Sequence, residues 1–274
     1  MKKGSLVKAR KSLSRFWNWI WNSDSIMSYV IFLIVIFVLM KYLLIPVFGF
    51  VMGAELPIAI VESSSMDHGF VKSCVLQDVE TGACKQWSQY YSICGEKSED
   101  RLQLRLDEYW DTCGGWYENN GITKEQFQDF SLKNGFKKGD ILVLTGWGGY
   151  EIGDVILFYP NQGSTARHPI IHRLISENPL QTKGDHNQGQ LTPSNNIHKT
   201  DETNIQENQV IGVARFKIPY LGWVKLFFVE LWQKSKLFFA LVVVGIPLFI
   251  MAVINIFNKL KKDGKGLKSK KNIK

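Results

Sequence analysis

The run Lys138-Gly139-Asp140-Ile141-Leu142-Val143-Leu144 shows the pattern that decides the fold of this 274-residue chain, a turn followed at once by apolar residues. Gly153-Asp154-Val155-Ile156-Leu157-Phe158 repeats it. Because Gly and Asp tolerate turn geometry and short apolar runs between turns are typical of strands, we predict a mostly β domain at residues 54–72 and 136–216. Further strand candidates lie at Ile170 to Ile175 and at Val210 to Phe216.

Residues 73–135 have a different composition from the segments on either side. The stretch from Ser98 to Cys113 is charged and has leucines at helical spacing. Thr123 followed by Gln126 resembles a capping box, and the helical pattern ends at Gly135. We therefore predict a small α-containing insertion in the β domain, named the cysteine insertion below.

Two long apolar segments flank this central part of the chain. The first, Tyr29 to Met52, has Lys41 as its only charge, and the second, Leu237 to Phe257, has none. Each reaches the roughly 20 residues needed to cross a bilayer, and we predict transmembrane helices at 27–53 and 237–257. A removable signal peptide is the less favoured alternative for the first segment, because its apolar part is too long.

The charge distribution predicts the orientation of these helices. Residues 1–26 carry a net charge of +5 and residues 259–274 a net charge of +7, whereas the whole chain carries +8. Because basic flanks remain in the cytoplasm, we expect a two-pass protein of the cell membrane with both tails, 1–26 and 258–274, in the cytoplasm. The basic tails fit contact with anionic lipid, and a nucleic-acid partner is not predicted.

Aromatic residues lie close to both apolar segments. The run Phe16-Trp17-Asn18-Trp19-Ile20-Trp21 is typical of an anchor at the membrane interface. A second aromatic group lies in residues 217–236, a juxtamembrane segment that we interpret as an interfacial helix. The alternative is that the second group belongs to the core of the β domain.

The four cysteines all lie in the cysteine insertion. No pair has the Cys-x-x-Cys spacing of a zinc site. An even number on the outer side of a membrane favours two disulfides, which would staple a segment expected to have little core of its own. Three pairings are possible, and free buried thiols are the alternative. The residues are Cys74, Cys84, Cys94 and Cys113.

Three short motifs follow one another along the chain. They are Glu62-Ser63-Ser64-Ser65-Met66-Asp67-His68, then His172-Arg173-Leu174-Ile175, then Lys183-Gly184-Asp185-His186-Asn187. In this order they resemble the type I signal peptidases of the archaeal and endoplasmic-reticulum branch. The resemblance covers the first apolar segment and residues 59–68 and 137–213, roughly two fifths of the chain. It implies a mostly β, signal-peptidase-like catalytic fold.

The resemblance also implies roles for four residues. Ser65 would be the nucleophile, His172 its general base and Asp185 a candidate orienting acid, because a hydroxyl at neutral pH needs an adjacent base. The Ser63 hydroxyl and the Ser65 backbone N–H would form an oxyanion hole. Taken alone, the serines could be a solvated turn, His172 a structural histidine and Asp185 a turn former.

The chain departs from the family pattern at the acid. Reticulum-type relatives carry a second acidic residue about six positions after the aspartate, whereas no acid follows here until Asp201. Asp185 alone, Asp201 or Glu202 could serve, or the reaction could use a dyad. Lys183 is not expected to be a base, because it belongs to the turn motif.

The remaining histidines lack such a context and are expected at the surface. They are His68, His168, His186 and His198.

Together with the two apolar segments, the resemblance implies a membrane-bound serine endopeptidase that removes signal peptides from exported preproteins, at the outer membrane surface and after small-x-small sites. The expected partners are preprotein signal peptides, the lipid bilayer and, as a candidate, the protein translocation channel. Acyl transfer by serine and imidazole needs no metal or organic cofactor, and none is predicted. The alternatives are a client-specific processing peptidase and a non-catalytic membrane-anchored binding or assembly protein with the same fold.

Overall fold

The computed structural model describes residues 3–23, 25–77 and 84–245, together with residues 249, 252, 253 and 256. The chain divides into two compact units, one formed by residues 47–227 and the other by residues 1–46 and 228–274. The helices are α1 (Lys3–Asn22), α2 (Ile26–Leu39), α3 (Ile45–Met52), α4 (Leu106–Asn119), α5 (Lys124–Asp129), α6 (Trp223–Lys234) and α7 (Lys236–Ala240). The strands are β1 (Ile58–Ile60), β2 (Val71–Gln77), β3 (Cys84–Ile93), β4 (Glu96–Ser98), β5 (Ile141–Thr145), β6 (Val155–Phe158), β7 (Ile170–Glu177), β8 (Leu180–Lys183) and β9 (Val210–Ile218).

A six-stranded antiparallel sheet forms the centre of the 47–227 unit. Its strand order is β1-β5-β9-β6-β7-β8. The predicted strand runs are confirmed as β5, β6, β7 and β9. All four residues of β6 are buried, which explains why that strand reads as an unbroken apolar run. The sheet-rich character expected of the β domain is therefore observed.

An apolar cluster fixes the segment between β1 and β2 to this sheet. Met66 is 1% exposed and lies in one buried cluster with Phe136, Leu142 and Val155. Burying a side chain of this size stabilises the fold by about 1.5–3 kcal/mol. Met66 therefore anchors the chain directly after Ser65, so the packing of Met66 in the core fixes the position of that serine.

The cysteine insertion contains a second sheet, two helices and both disulfides. Its three strands have the order β2-β3-β4. The predicted two disulfides are confirmed, and they join consecutive cysteines, Cys74 to Cys84 and Cys94 to Cys113. The predicted capping box is also present: Thr123 N donates to Gln126 Oε1 at 2.8 Å, and Gln126 N donates to Thr123 Oγ1 at 3.3 Å.

Two expectations for the cysteine insertion are wrong. The helix begins at Leu106 and not at Ser98, because residues 96–98 pair with β3 as strand β4. The insertion also has a core of its own, a buried aromatic cluster that includes Tyr109, Tyr117 and Phe127. The two disulfides therefore reinforce a segment that already has a packed core.

In the described ranges, one helix is long and apolar enough to cross a membrane, Met27–Met52. A short π-helical segment, Met40–Leu44, lies inside it and contains Lys41. The second predicted span, 237–257, falls partly outside the described residues, which include α7 and the π-helical segment Leu241–Gly245. The C-terminal tail, 258–274, also lies outside them.

The aromatic residues that were assigned to membrane interfaces are exposed. In α1, Trp17 and Trp21 are 48% and 59% exposed. Near α6, Tyr220, Trp223 and Trp232 are 67%, 42% and 50% exposed. The alternative that the second group forms part of the core is therefore wrong for these three residues.

Candidate active site

Ser65 lies in a tight turn that is held on two sides by backbone hydrogen bonds. Asp67 N donates to Ser64 O at 3.0 Å, which closes the turn. His186 N donates to Ser65 O at 2.9 Å, and Phe136 N donates to Met66 O at 3.0 Å. The Ser65 side chain is half-buried. The turn therefore presents a partly accessible hydroxyl on a backbone that is fixed from both sides.

The hydroxyl of Ser63 lies beside that of Ser65. The two Oγ atoms are 3.1 Å apart, within hydrogen-bond distance. Among the backbone hydrogen bonds of the described residues, none uses the Ser65 N–H as its donor. The Ser63 hydroxyl and the Ser65 N–H are thus two candidate oxyanion donors next to the Ser65 hydroxyl.

His172 in β7 pairs with Glu202, which precedes the 3-10 turn Glu207–Gln209. His172 Nδ1 is hydrogen-bonded to Glu202 Oε1, and the two residues are 3% and 0% exposed. Because a carboxylate only accepts, we assign the ring proton to Nδ1, which leaves the lone pair on Nε2. Nε2 can then accept a proton, as a general base must.

Other hydrogen bonds hold the Glu202 carboxylate in place. Thr182 Oγ1 donates to Glu202 Oε1 at 2.9 Å, and Leu191 N donates to Glu202 Oε2 at 2.7 Å. These two donors fix the orientation of the carboxylate toward His172. The neighbouring acid, Asp201, instead accepts from Thr203 N at 2.9 Å. Of the acids considered from the sequence, Glu202 is the one that orients His172.

Gly184 lies between the Ser65 backbone and the His172 ring. A Cβ atom built on Gly184 would lie 2.8 Å from the Ser65 carbonyl oxygen and 2.9 Å from His172 Nε2. The backbone of the serine and the free nitrogen of the histidine therefore border the same small space. Gly184 belongs to residues 183–187, named the Gly184 turn below, which is closed by a 2.9 Å bond from Asn187 N to Gly184 O.

Asp185 is buried in the Gly184 turn, but its carboxylate has other partners than His172. Arg173 donates to it twice, from Nε at 2.9 Å and from Nη2 at 2.6 Å. His68 Nε2 lies 2.8 Å from Oδ2, and the Tyr117 hydroxyl donates to Oδ1 at 2.9 Å. Burial alone raises the pKa of this carboxyl, but Arg173 and the hydrogen bonds lower it well below its ordinary value.

The predicted orienting contact between Asp185 and His172 is therefore replaced by two separate pairs. Asp185 pairs with Arg173 and His68, and Glu202 pairs with His172. In β7, His172 and Arg173 are adjacent, so their side chains point to opposite faces of the strand and meet different acids.

The expectation that His68 and His186 are surface residues is wrong. His68 is 2% exposed and stacks on Tyr109 with ring centroids 3.6 Å apart. His186 is half-buried, and its Nδ1 lies 3.0 Å from Asp67 O. Burial lowers the pKa of His68 below its ordinary value, and Asp185 acts in the opposite direction.

Lys183 is fully buried beside the site and faces aromatic rings. Its Nζ donates to Gly184 O at 3.0 Å and lies 5.1 Å and 4.9 Å from the ring centroids of Trp116 and Tyr117. Burial lowers the pKa of Lys183 to about 8, although the charge of Asp185 raises it. These contacts hold the Gly184 turn, in keeping with its expected place in the turn motif.

Neither a protein-family model nor a curated protein matches the chain. In the described parts of the chain, no group of three His, Cys, Asp or Glu side chains is placed to hold a metal ion. The site is thus defined by its own chemistry, a serine, a histidine with a free Nε2, a buried glutamate and a pair of candidate oxyanion donors.

Proposed function

We propose that this protein is a membrane-bound serine endopeptidase of the signal peptidase I type, in which Ser65, His172 and Glu202 form the catalytic triad. The observation that carries the proposal is the environment of the two ring nitrogens of His172. Its Nδ1 is bonded to a buried carboxylate, and its Nε2 borders the Ser65 backbone at Gly184. This arrangement suits a histidine that takes a proton from a serine hydroxyl.

The reaction would proceed by acyl transfer. The Ser65 hydroxyl gives its proton to His172 Nε2 while Oγ bonds to the carbonyl carbon of the scissile peptide. The Ser63 hydroxyl and the Ser65 N–H stabilise the negative oxygen that forms. His172 then protonates the leaving amine as the C–N bond breaks. A water molecule, deprotonated by His172, then attacks the acyl-enzyme carbonyl, and His172 returns that proton to Ser65 Oγ as the ester bond breaks.

The clients in this proposal are exported preproteins, cut after small-x-small sites at the outer membrane surface. The chain would cross the cell membrane twice, at 27–53 and 237–257, with both termini in the cytoplasm. The helix Met27–Met52 and the basic charge of both tails support this topology. Ser65 follows the end of that helix by 13 residues, and tethering raises the local concentration of a membrane-inserted substrate.

The direct test is cleavage of a preprotein with a small-x-small site by the detergent-solubilised full chain. Ser65→Ala and His172→Ala should abolish cleavage, and Glu202→Gln should lower kcat by about 10²- to 10⁴-fold because it disturbs the histidine tautomer. The matched control is Asp201→Asn, which changes the adjacent acid and should leave kcat unchanged.

A serine-directed fluorophosphonate gives a second measurement on the same proteins. Wild type should be labelled at Ser65, and His172→Ala should not. If folded wild type neither cuts the preprotein nor takes the label, the proposal fails and a binding or assembly role replaces it. Cleavage of only one preprotein among several would favour the client-specific peptidase.

A further inference from the structure

Helix α4 of the cysteine insertion directs two tyrosine hydroxyls at the Gly184 turn. Tyr109 Oη donates to Asp185 O at 2.8 Å, and Tyr117 Oη donates to Asp185 Oδ1 at 2.9 Å. Both tyrosines are 0% exposed. They are eight positions apart, so they lie on one face of the helix. Burial, and then the charge of Asp185, raises the pKa of each hydroxyl, so both remain protonated donors.

The same face of α4 is linked to the Gly184 turn through Cys94, by a disulfide on one side and a backbone hydrogen bond on the other. Cys113 lies between the two tyrosines and forms the disulfide with Cys94. Cys94 N in turn donates to His186 O at 2.9 Å. The insertion therefore contacts the Gly184 turn at Asp185 and His186 and holds its own helix against it.

The Gly184 turn also supports the proposed reacting groups, Ser65 and His172. Its His186 N–H bonds to Ser65 O, and its Gly184 borders both Ser65 O and His172 Nε2. A displacement of this turn would change the distance between the serine and the histidine.

We propose that Tyr117 is a positioning residue, which fixes the Gly184 turn through Asp185, and that the cysteine insertion is thereby a working part of the active site. The inference rests on the proposed function, because it assigns Tyr117 a role in the geometry of that same site. The inference goes beyond the proposed function because it gives the cysteine insertion a role that acyl transfer alone does not require.

The test compares Tyr117→Phe with Tyr90→Phe in the full chain in detergent. Tyr90 is a tyrosine of the same insertion that is 46% exposed, so its substitution makes the same chemical change away from the turn. Active sites are titrated with the fluorophosphonate, so that kcat refers only to competent molecules. Hydrogen exchange of the backbone amides of residues 184–187 provides a readout that does not depend on activity.

In Tyr117→Phe, kcat per titrated site should fall roughly 10- to 100-fold, since small misplacements of reacting groups have effects of this size. KM should change little, because binding in the ground state is preserved. The amides of residues 184–187 should exchange faster than in wild type. Tyr90→Phe should match wild type in all three measurements.

A purely structural role for Tyr117 would give fewer titratable sites with unchanged kcat per site, and this result overturns the inference. If wild type itself is inert and unlabelled, the proposed function fails. Hydrogen exchange of residues 184–187 then tests whether Tyr117 positions the Gly184 turn. Faster exchange in Tyr117→Phe then supports the positioning of the turn, and unchanged exchange overturns it. If Tyr117→Phe does not fold, Tyr109→Phe removes the other hydroxyl bonded to Asp185 and is judged by the same outcomes.

Discussion

A methyl group on Gly184 would enter the space that Ser65 and His172 share. It would lie 2.8 Å from the Ser65 carbonyl oxygen, and that backbone is itself held by His186. It would also lie 2.7 Å from Asn187 Nδ2 and 2.9 Å from His172 Nε2. Because the Ser65 backbone cannot move aside without disturbing the site, we expect Gly184→Ala to lower kcat by roughly 100-fold. The preprotein cleavage assay on purified protein measures this effect.

The matched control is Gly115→Ala in helix α4. A Cβ at Gly115 would have no neighbour within 4 Å. Since alanine favours a helix over glycine by about 1 kcal/mol, this variant should keep its kcat and unfold at the same or a slightly higher temperature. A Gly184→Ala protein with the kcat of wild type would show that the shared space is not part of the reaction.

At the residue scale, the sequence singled out the serine and the histidine of the candidate site but left the acid open. Ser65, Ser63 and His172 could be proposed because each belongs to a short local motif. Glu202 was only one of several alternatives, since its pairing with His172 depends on how a long loop returns to the sheet. The burial of His68 depends on Asp185, which is 117 positions away, and local composition contains no trace of it.

At the scale of elements, the two disulfides should differ in their effect on activity. Loss of the Cys94–Cys113 bond, by substitution of both residues with Ala, should lower kcat because α4 supports the Gly184 turn. Loss of the Cys74–Cys84 bond between β2 and β3 should leave kcat unchanged. The two bonds close loops of 19 and 10 residues, so each variant should lose a similar amount of stability, about 2–4 kcal/mol.

Thermal unfolding and preprotein cleavage of both double variants measure stability and kcat separately. The intact chain treated with reductant is the corresponding chemical experiment. Equal kcat for the two variants would argue against a mechanical link between α4 and the site.

The elements that sequence predicted well are those with strong local patterns. Strands β5 and β6 begin directly after Gly-Asp turns and consist of apolar residues except for Thr145, and the Thr123–Gln126 capping box marks α5. Strand β3, by contrast, has the sequence CKQWSQYYSI, which is largely polar and exposed. Its conformation comes from pairing with β2 and β4. The start of α4 was misplaced in part for the same reason, since Ser98 belongs to β4 and the helix begins only at Leu106.

At the scale of the whole molecule, the basic charge of both tails predicts that both termini lie in the cytoplasm, and this topology can be tested. Epitope tags placed before residue 1 and after residue 274 should both be protected from protease in intact cells and cleaved only after permeabilisation. The reason is that positively charged flanks are retained in the cytoplasm. A tag inserted in the loop around Gly163, a position with open space for a side chain, should be accessible in intact cells.

Accessibility of one terminal tag in intact cells would contradict the two-pass topology and leave the helix Met27–Met52 as the supported span. As a matched control, replacing lysines 268, 270, 271 and 274 by glutamine tests whether charge sets the location of the C-terminus.

The separation of the site residues along the chain has a consequence for the timing of synthesis. Glu202 follows Ser65 by 137 residues, and His172 and Tyr117 lie between them. At about 5–20 residues per second, a ribosome needs roughly 7–27 s to add that length. For the first 107 of those residues the nascent chain has a serine without its proposed base and acid, and until residue 202 is added it still lacks the acid. On the proposed function, such a chain remains inert while its own first apolar helix is entering the membrane, and it cannot cut itself before it is complete.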